Sequence, residues 1–335
     1  MITMKELASK LNVSVSTVSK ALNDSPEISP NTIKRIKELA NLYNYKPNRI
    51  ALNLKTSRTK TIGVVIPDIL NPFFAKVLLG IESEAAKLGY NIITCLSNEV
   101  MQKEKDSLSL LSNGSVDGYI LSVSEETQTH NTSDHFEYYI NEGLPIVMFD
   151  RVVENIDCDK IIIDDYKAAK EATEFLIKKG RKKIAFFSMI DNLSVGNKRR
   201  EGYLSVMNDI DDYSRQNHVL IIKKLDNAQG EIRSFLEKNQ GIDGIFAADN
   251  TSGVIAINVA RDMGKIVPND ISVIGFANEL IANYSIPKLT TVNQHSEEIG
   301  KKALNLLINR LESNEPKLKK ETVIIPTSIV EREST

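Results

Sequence analysis

The chain has 335 residues, 41% of them hydrophobic and 26% charged, which fits a soluble protein of two or three domains. No run approaches the ~18 apolar residues of a membrane span and no signal-peptide core opens the chain, so the cytoplasm is the expected compartment. Two cysteines, Cys95 and Cys158, and four scattered histidines exclude a disulfide framework and a structural zinc site, and no cofactor or metal is expected. The formal net charge of −2 is unevenly spread: residues 1–60 hold 11 Lys/Arg against 4 Asp/Glu, and the remainder holds 31 against 40. A basic head on an acidic body suggests one polyanion-binding module joined to something else. A solvated basic face is the plainer alternative.

In the head, Thr3-Met4-Lys5-Glu6 has the form of a capping box and predicts a helix from about Met4, with Met4, Leu7, Ala8 and Leu11 as its apolar stripe. After the turn Asn12-Val13, Ser14 can cap a second helix through Leu22. Val18 and Leu22, spaced i and i+4, face its core, while Ser16, Thr17, Ser19 and Lys20 lie outward. Short hydroxyls plus one cation cover a core poorly and suit close approach to phosphates and base edges. Asn23 to Pro26 breaks this helix. Ser29 and Pro30 are the N-cap and first position of a third, whose buried side is Ile33, Ile36, Leu39 and Ala40. The first two helices form a helix–turn–helix.

Residues 47–60 read as a hinge. Pro47 can start a helix running to Leu54, but two turns are not stable alone in water and fold only when something packs on them. Leu54 is an apolar residue in a polar setting, followed by Lys55, Arg58 and Lys60. The plain alternative is a flexible linker.

From Thr61 the period changes. Strands are predicted at 61–66, 90–95, 117–123 and 144–150, then at 160–164, 183–188, 218–222, 243–248 and 271–276, separated by amphipathic helical stretches. Gly89, Gly180 and Gly264 stand where helices close. The fold class expected is α/β, with two doubly wound parallel-sheet subdomains and a cleft between them, preceded by an all-α head. Two helical stretches, Phe73 to Ile81 and Val254 to Ala260, are apolar on more than one side, so each either meets a second subunit or is wholly buried. Asp164-Asp165, and His295 near Glu297-Glu298, are only pairs in sequence. No Walker loop or G-x-G-x-x-G precedes a helix, so an enzyme is not expected.

Thr3 to Ala8, Val13 to Asn23, and Tyr45 to Ala51 with Leu54 together resemble the DNA-binding head of the LacI/GalR transcriptional regulators. In the body, Ile66-Pro67-Asp68, Asn71-Pro72-Phe73-Phe74, Asp117-Gly118, Arg199 before Gly202-Tyr203, Ala248-Asp249-Asn250, Ile274-Gly275-Phe276 and Pro287 to Val292 are similar to the family's effector domain, itself like type I periplasmic binding proteins. The resemblance implies a sequence-specific DNA-binding regulator, a repressor, controlled by a small sugar or sugar derivative. A stand-alone solute-binding protein is the alternative.

The resemblance also assigns residues. Val15, Ser16 and Lys20 would read bases in the major groove, and Ser14, Thr17, Asn23, Ser29 and Thr32 would contact phosphates. Ala51, Leu54 and Lys55 would enter the minor groove, with Leu54 as the wedge. Phe73, Phe74, Arg199, Asp249 and Asn278 would bind the ligand. Many family members place an aspartate after Gly275-Phe276; this chain has Ala277, with Asn278 as the substitute. The implied partners are a pseudo-palindromic double-stranded operator, the small effector and a second copy of the chain. The expected domains are 1–46, a hinge at 47–60, an N-terminal subdomain of 61–160 plus 293–321, and a C-terminal subdomain of 161–292 plus 322–335. The three crossings are expected near Lys160, Val292 and Glu321.

Overall fold

The computed structural model describes residues 2–45, 58–208, 218–276, 279–313 and 319–335. The predicted hinge residues Ala51, Leu54 and Lys55, and the predicted ligand residue Asn278, lie outside these. The chain divides into two compact units, Met1–Thr59 and Lys60–Thr335.

The first unit holds three helices: α1 (Met4–Leu11), α2 (Val15–Leu22) and α3 (Pro30–Leu42). Thr3 and Glu6 close a reciprocal capping box on α1. Ser14 caps α2, and Ser29 caps α3 with Pro30 in its first turn. The small core is Leu7, Ala8, Val18, Ala21, Ile36 and Ala40. Leu22, expected to point inward with Val18, packs only at the edge of that core, and Ala21 takes the central place.

The second unit carries two six-stranded sheets. Its elements are β1 (Thr61–Ile66), α4 (Pro72–Leu88), β2 (Asn91–Leu96), α5 (Met101–Ser112), β3 (Gly118–Leu121), α6 (Glu125–His130), α7 (Asp134–Asn141), β4 (Ile146–Phe149), β5 (Asp159–Ile163), α8 (Asp165–Lys178), β6 (Ile184–Ser188) and α9 (Ser194–Met207). They continue through β7 (Val219–Ile221), α10 (Ala228–Lys238), β8 (Gly244–Ala247), α11 (Ser252–Asp262), β9 (Ser272–Phe276), α12 (Glu279–Tyr284), β10 (Thr290–Asn293), α13 (Ser296–Glu312), β11 (Thr322–Ile325) and β12 (Ser328–Val330). The first sheet runs β11-β5-β4-β3-β1-β2 and the second β12-β10-β9-β8-β6-β7. All pairings are parallel except β10 with β12. Gly89, Gly180 and Gly264 have positive φ and end helices there at no Cβ cost.

The sheets correct two boundaries. β5, expected to open the second subdomain, belongs to the first sheet, because Ile161–Ile163 align with β11 while Asp159–Ile161 align with β4. The chain therefore crosses at Asp164, where that residue caps α8, and not near Lys160. β11 also joins the first sheet, so the last crossing is Pro326-Thr327 and not Glu321. The middle crossing is Gln294-His295, between β10 of the second sheet and α13, which packs on α4 and the first sheet.

Helices α4 and α13 touch backbone to backbone. A Cβ on Gly80 would lie 2.2 Å from the Glu297 carbonyl oxygen, and one on Gly300 would lie 2.1 Å from that of Val77. Both helices begin at the cleft. At their far ends the Tyr90 hydroxyl donates to Glu312 (3.3 Å), and the Lys60 ammonium sits 4.3 Å from the Tyr90 ring centroid. Of the two stretches that are apolar on several sides, the one in α11 is enclosed within its own subdomain, whereas Leu79 of α4 faces solvent.

Candidate functional site

On the head, α2 presents its expected outer face. Val15 is 44% exposed, and Ser16 and Lys20 are exposed. The Ser14 hydroxyl accepts from the Thr17 amide (3.0 Å) and lies 2.7 Å from Ser16 Oγ and 2.8 Å from Thr17 Oγ1. The Ser29 hydroxyl accepts from the Thr32 amide (3.3 Å) and meets Thr32 Oγ1 at 2.8 Å. Asn23 donates to the Ser19 carbonyl at 2.9 Å. These hydroxyl pairs satisfy one another in solvent and have acceptor and donor capacity to spare for a phosphate. Lys20 pairs with Glu27, a contact with no signal in the sequence. Both side chains are exposed, so that pair is worth little and is readily exchanged.

In the body a cavity of about 60 Å³ is lined from both subdomains at the carboxyl ends of the strands. Phe73 and Phe74 open α4 and meet edge to face at 5.3 Å, and Asn71 caps that helix by accepting from the Phe73 amide. Sequence adjacency suggests that one phenylalanine would be core; here both are buried and both line the cavity. Opposite them, the Arg199 guanidinium stacks 3.6 Å from the Phe276 ring centroid. Arg199 is only 4% exposed, although Lys198 and Arg200 flank it. Its Nε donates to Asp165 (2.7 Å) and its Nη1 to the Ala248 carbonyl (2.7 Å).

Asp249 lines the cavity, but not as the free acceptor expected. Its carboxylate already receives the Met189, Thr251 and Ser252 amides and the Ser252 hydroxyl at 2.8–3.0 Å. The sequence reading missed Asp150, Arg151 and Gln294. Asp150 directly follows β4 with φ +58°, and Arg151 comes next. Arg151 Nη1 donates to both carboxylate oxygens of Glu99 (2.8 and 2.7 Å), and its Nε is buried with no partner among the described residues. Asp150 accepts no hydrogen bond from the described residues; its carboxylate is 4.0 Å from Arg151 Nε. Burial pushes its pKa up to about 6, against the pull of Arg151 and with the neighbouring charge of Asp165 adding to the rise. The available signal was an acid at the end of a predicted strand. Asn250 donates to Asn71 across the cleft at 3.0 Å.

Residues 3–48 match the model of bacterial regulatory proteins of the lacI family, and residues 173–335 match that of the periplasmic binding protein-like domain. The HTH-type transcriptional regulator RegA of Clostridium saccharobutylicum is 35% identical over 340 residues, covering 99% of this chain and 98% of its own. The ribose operon repressor of Halalkalibacterium halodurans is 32% identical, covering 100% and 97%. The chain belongs to the LacI family. It is a DNA-binding transcriptional regulator with a helix–turn–helix head and a periplasmic-binding-protein-like body. The lac repressor bound to ONPG shares the fold of this LacI-family chain, with a TM-score of 0.84 at 20% identity over 100% of this chain and 99% of that one. Among the described residues no helix is long and apolar enough to cross a membrane.

Proposed function

We propose that the protein is a homodimeric operator-binding repressor whose hold on DNA is set by a small sugar or sugar derivative in the cleft. One observation carries the effector half of this reading: phenylalanines flank the cavity from both subdomains while Asp150 stands there with no hydrogen-bond partner among the described residues. Aromatic faces meet the C–H face of a sugar ring, and a buried carboxylate accepts from hydroxyls. In the head, Val15, Ser16 and Lys20 read bases, and Ser14, Thr17, Asn23, Ser29 and Thr32 meet phosphates. A two-fold dimer would present two such helices to half-sites ~34 Å apart. Ala51, Leu54 and Lys55 would enter the minor groove between them.

Genomic footprinting with and without D-ribose, D-glucose and D-galactose tests this reading. A palindromic footprint that changes with one sugar is expected; footprints without symmetry, or indifferent to every sugar, would reject it. Leu54→Ala should weaken operator binding several-fold while sparing random DNA, because only a kinked site uses the wedge. Equal loss on both would remove Leu54 from that role.

A further inference from the structure

Arg151 and Arg199 are the groups in the cleft that would ordinarily hold an anion, because a guanidinium offers a carboxylate or phosphate two parallel N–H donors. Each already spends part of its capacity and its whole unit of charge on a carboxylate. Both oxygens of Glu99 are on Arg151 Nη1, and Asp165 is on Arg199 Nε while a backbone carbonyl takes Nη1. The Arg199–Asp165 pair is removed from bulk water at 5% and 4% exposure, while Arg151 is buried at 8% against a Glu99 that is 32% exposed. Glu99 is held in place independently, since the Glu125 amide donates to it at 2.8 Å and two consecutive left-handed residues, Asn98 and Glu99, turn the chain there.

Asp150, 4.0 Å from the already matched Arg151, and Asp249, held by three amides and a hydroxyl, bring the described carboxylates here to four against two guanidiniums. The cleft is therefore net negative although it contains two arginines. Among the described residues the donors left over are Arg151 Nε and Nη2, with Nε 4.0 Å from Asp150, and Arg199 Nη2. Donors set directly beside a carboxylate acceptor suit hydroxyl groups, each of which donates once and accepts as well. A phosphate dianion would have to displace Glu99 or Asp165, or lie against Asp150.

We propose that Glu99 and Asp165 are specificity-determining residues that cancel the arginine charge, so that the cleft accepts uncharged polyols and rejects phosphorylated ones. This deepens the proposed function and rests on the sugar-effector reading.

The test is calorimetric titration of the full chain with three pairs: D-ribose and its 5-phosphate, D-glucose and its 6-phosphate, and D-galactose and its 6-phosphate. In whichever pair binds, the free sugar should bind about tenfold tighter or more than its ester. Rejection by size alone would give the same preference, so Glu99→Gln and Asp165→Asn, which keep shape and remove charge, decide between the two. Each variant should narrow the sugar-to-ester ratio at least several-fold, mainly by gaining affinity for the ester. Circular dichroism checks folding, and the partly exposed Glu99 site carries the test if Asp165→Asn does not fold. An ester that binds wild type as well as its sugar, or ratios unmoved in the folded variants, overturns the charge assignment and leaves the sugar reading standing. If no member of any pair binds, the sugar reading itself fails and this inference falls with it.

Discussion

On the head, the Ser14 hydroxyl bonds those of Ser16 and the half-exposed Thr17 at the solvent surface, and Lys20 holds Glu27 there too. In the cleft, both guanidiniums, Arg151 and Arg199, are buried against carboxylates, and the Arg199–Asp165 pair is buried on both sides. Exposed pairs exchange partners at little cost, since water stands ready to replace either side. Buried pairs do not, since a stranded charge has no solvent to turn to. The head can thus trade its own contacts for those of DNA, whereas the cleft selects a ligand by what its fixed pairs leave unsatisfied.

The largest effect that could break this contrast is Arg199→Ala. It strands Asp165, so the body should lose about 3–5 kcal/mol in calorimetry and lose its ligand response. Operator binding measured well below the melt should persist. A stability loss under 1 kcal/mol, of the order of an exposed pair, would place Arg199 with the surface charges of the head.

Next comes Asp150→Asn. The carboxyl group titrates near 6 in the folded protein, above its ordinary 3.8. The native state therefore holds the proton more tightly than the unfolded chain does, and this group's contribution to stability falls as pH rises from about 4 to 6. The asparagine variant lacks that fall. In urea melts it should gain on wild type across that window by roughly 2–3 kcal/mol and keep the advantage above it. A gap that does not change with pH would mean that Asp150 is well solvated.

Lys20→Ala should relax discrimination at one operator base pair by about 1–3 kcal/mol in a binding-selection assay, with the head's melting unchanged. An unaltered site preference would remove Lys20 from base reading. The smallest effect is Ser29→Ala, which should cost the head about 1 kcal/mol by uncapping α3. Hydrogen exchange of the first-turn amides of α3 measures it, and unchanged protection there would show that the cap is dispensable.

The parts of this molecule that are legible in sequence are those made by neighbours in sequence. The caps Thr3, Ser14 and Ser29, the helix-closing glycines and the strands from β1 to β9 all announce themselves within a few residues. The cleft does not. Glu99 and Arg151 are 52 residues apart and Asp165 and Arg199 are 34 apart, so no local pattern joins them. Arg199 stands in a run of three cations, and only the helical turn separates it from Lys198, which faces Glu154, and Arg200, which faces Asp191. In sequence β5 reads as the opening strand of the second sheet, although it belongs to the first, because a buried parallel strand looks the same in either. β10, β11 and β12, which complete the two sheets, are short segments strung between crossings and offer little alternation to read.

Where Gly80 and Gly300 bring α4 and α13 into direct carbonyl contact, no side chain stands between the helices to change rotamer and absorb a shift. Even a methyl group at either position would therefore wedge the two helices apart. The same helix pair ends at Tyr90 and Glu312 beside Lys60, where the polypeptide enters this unit.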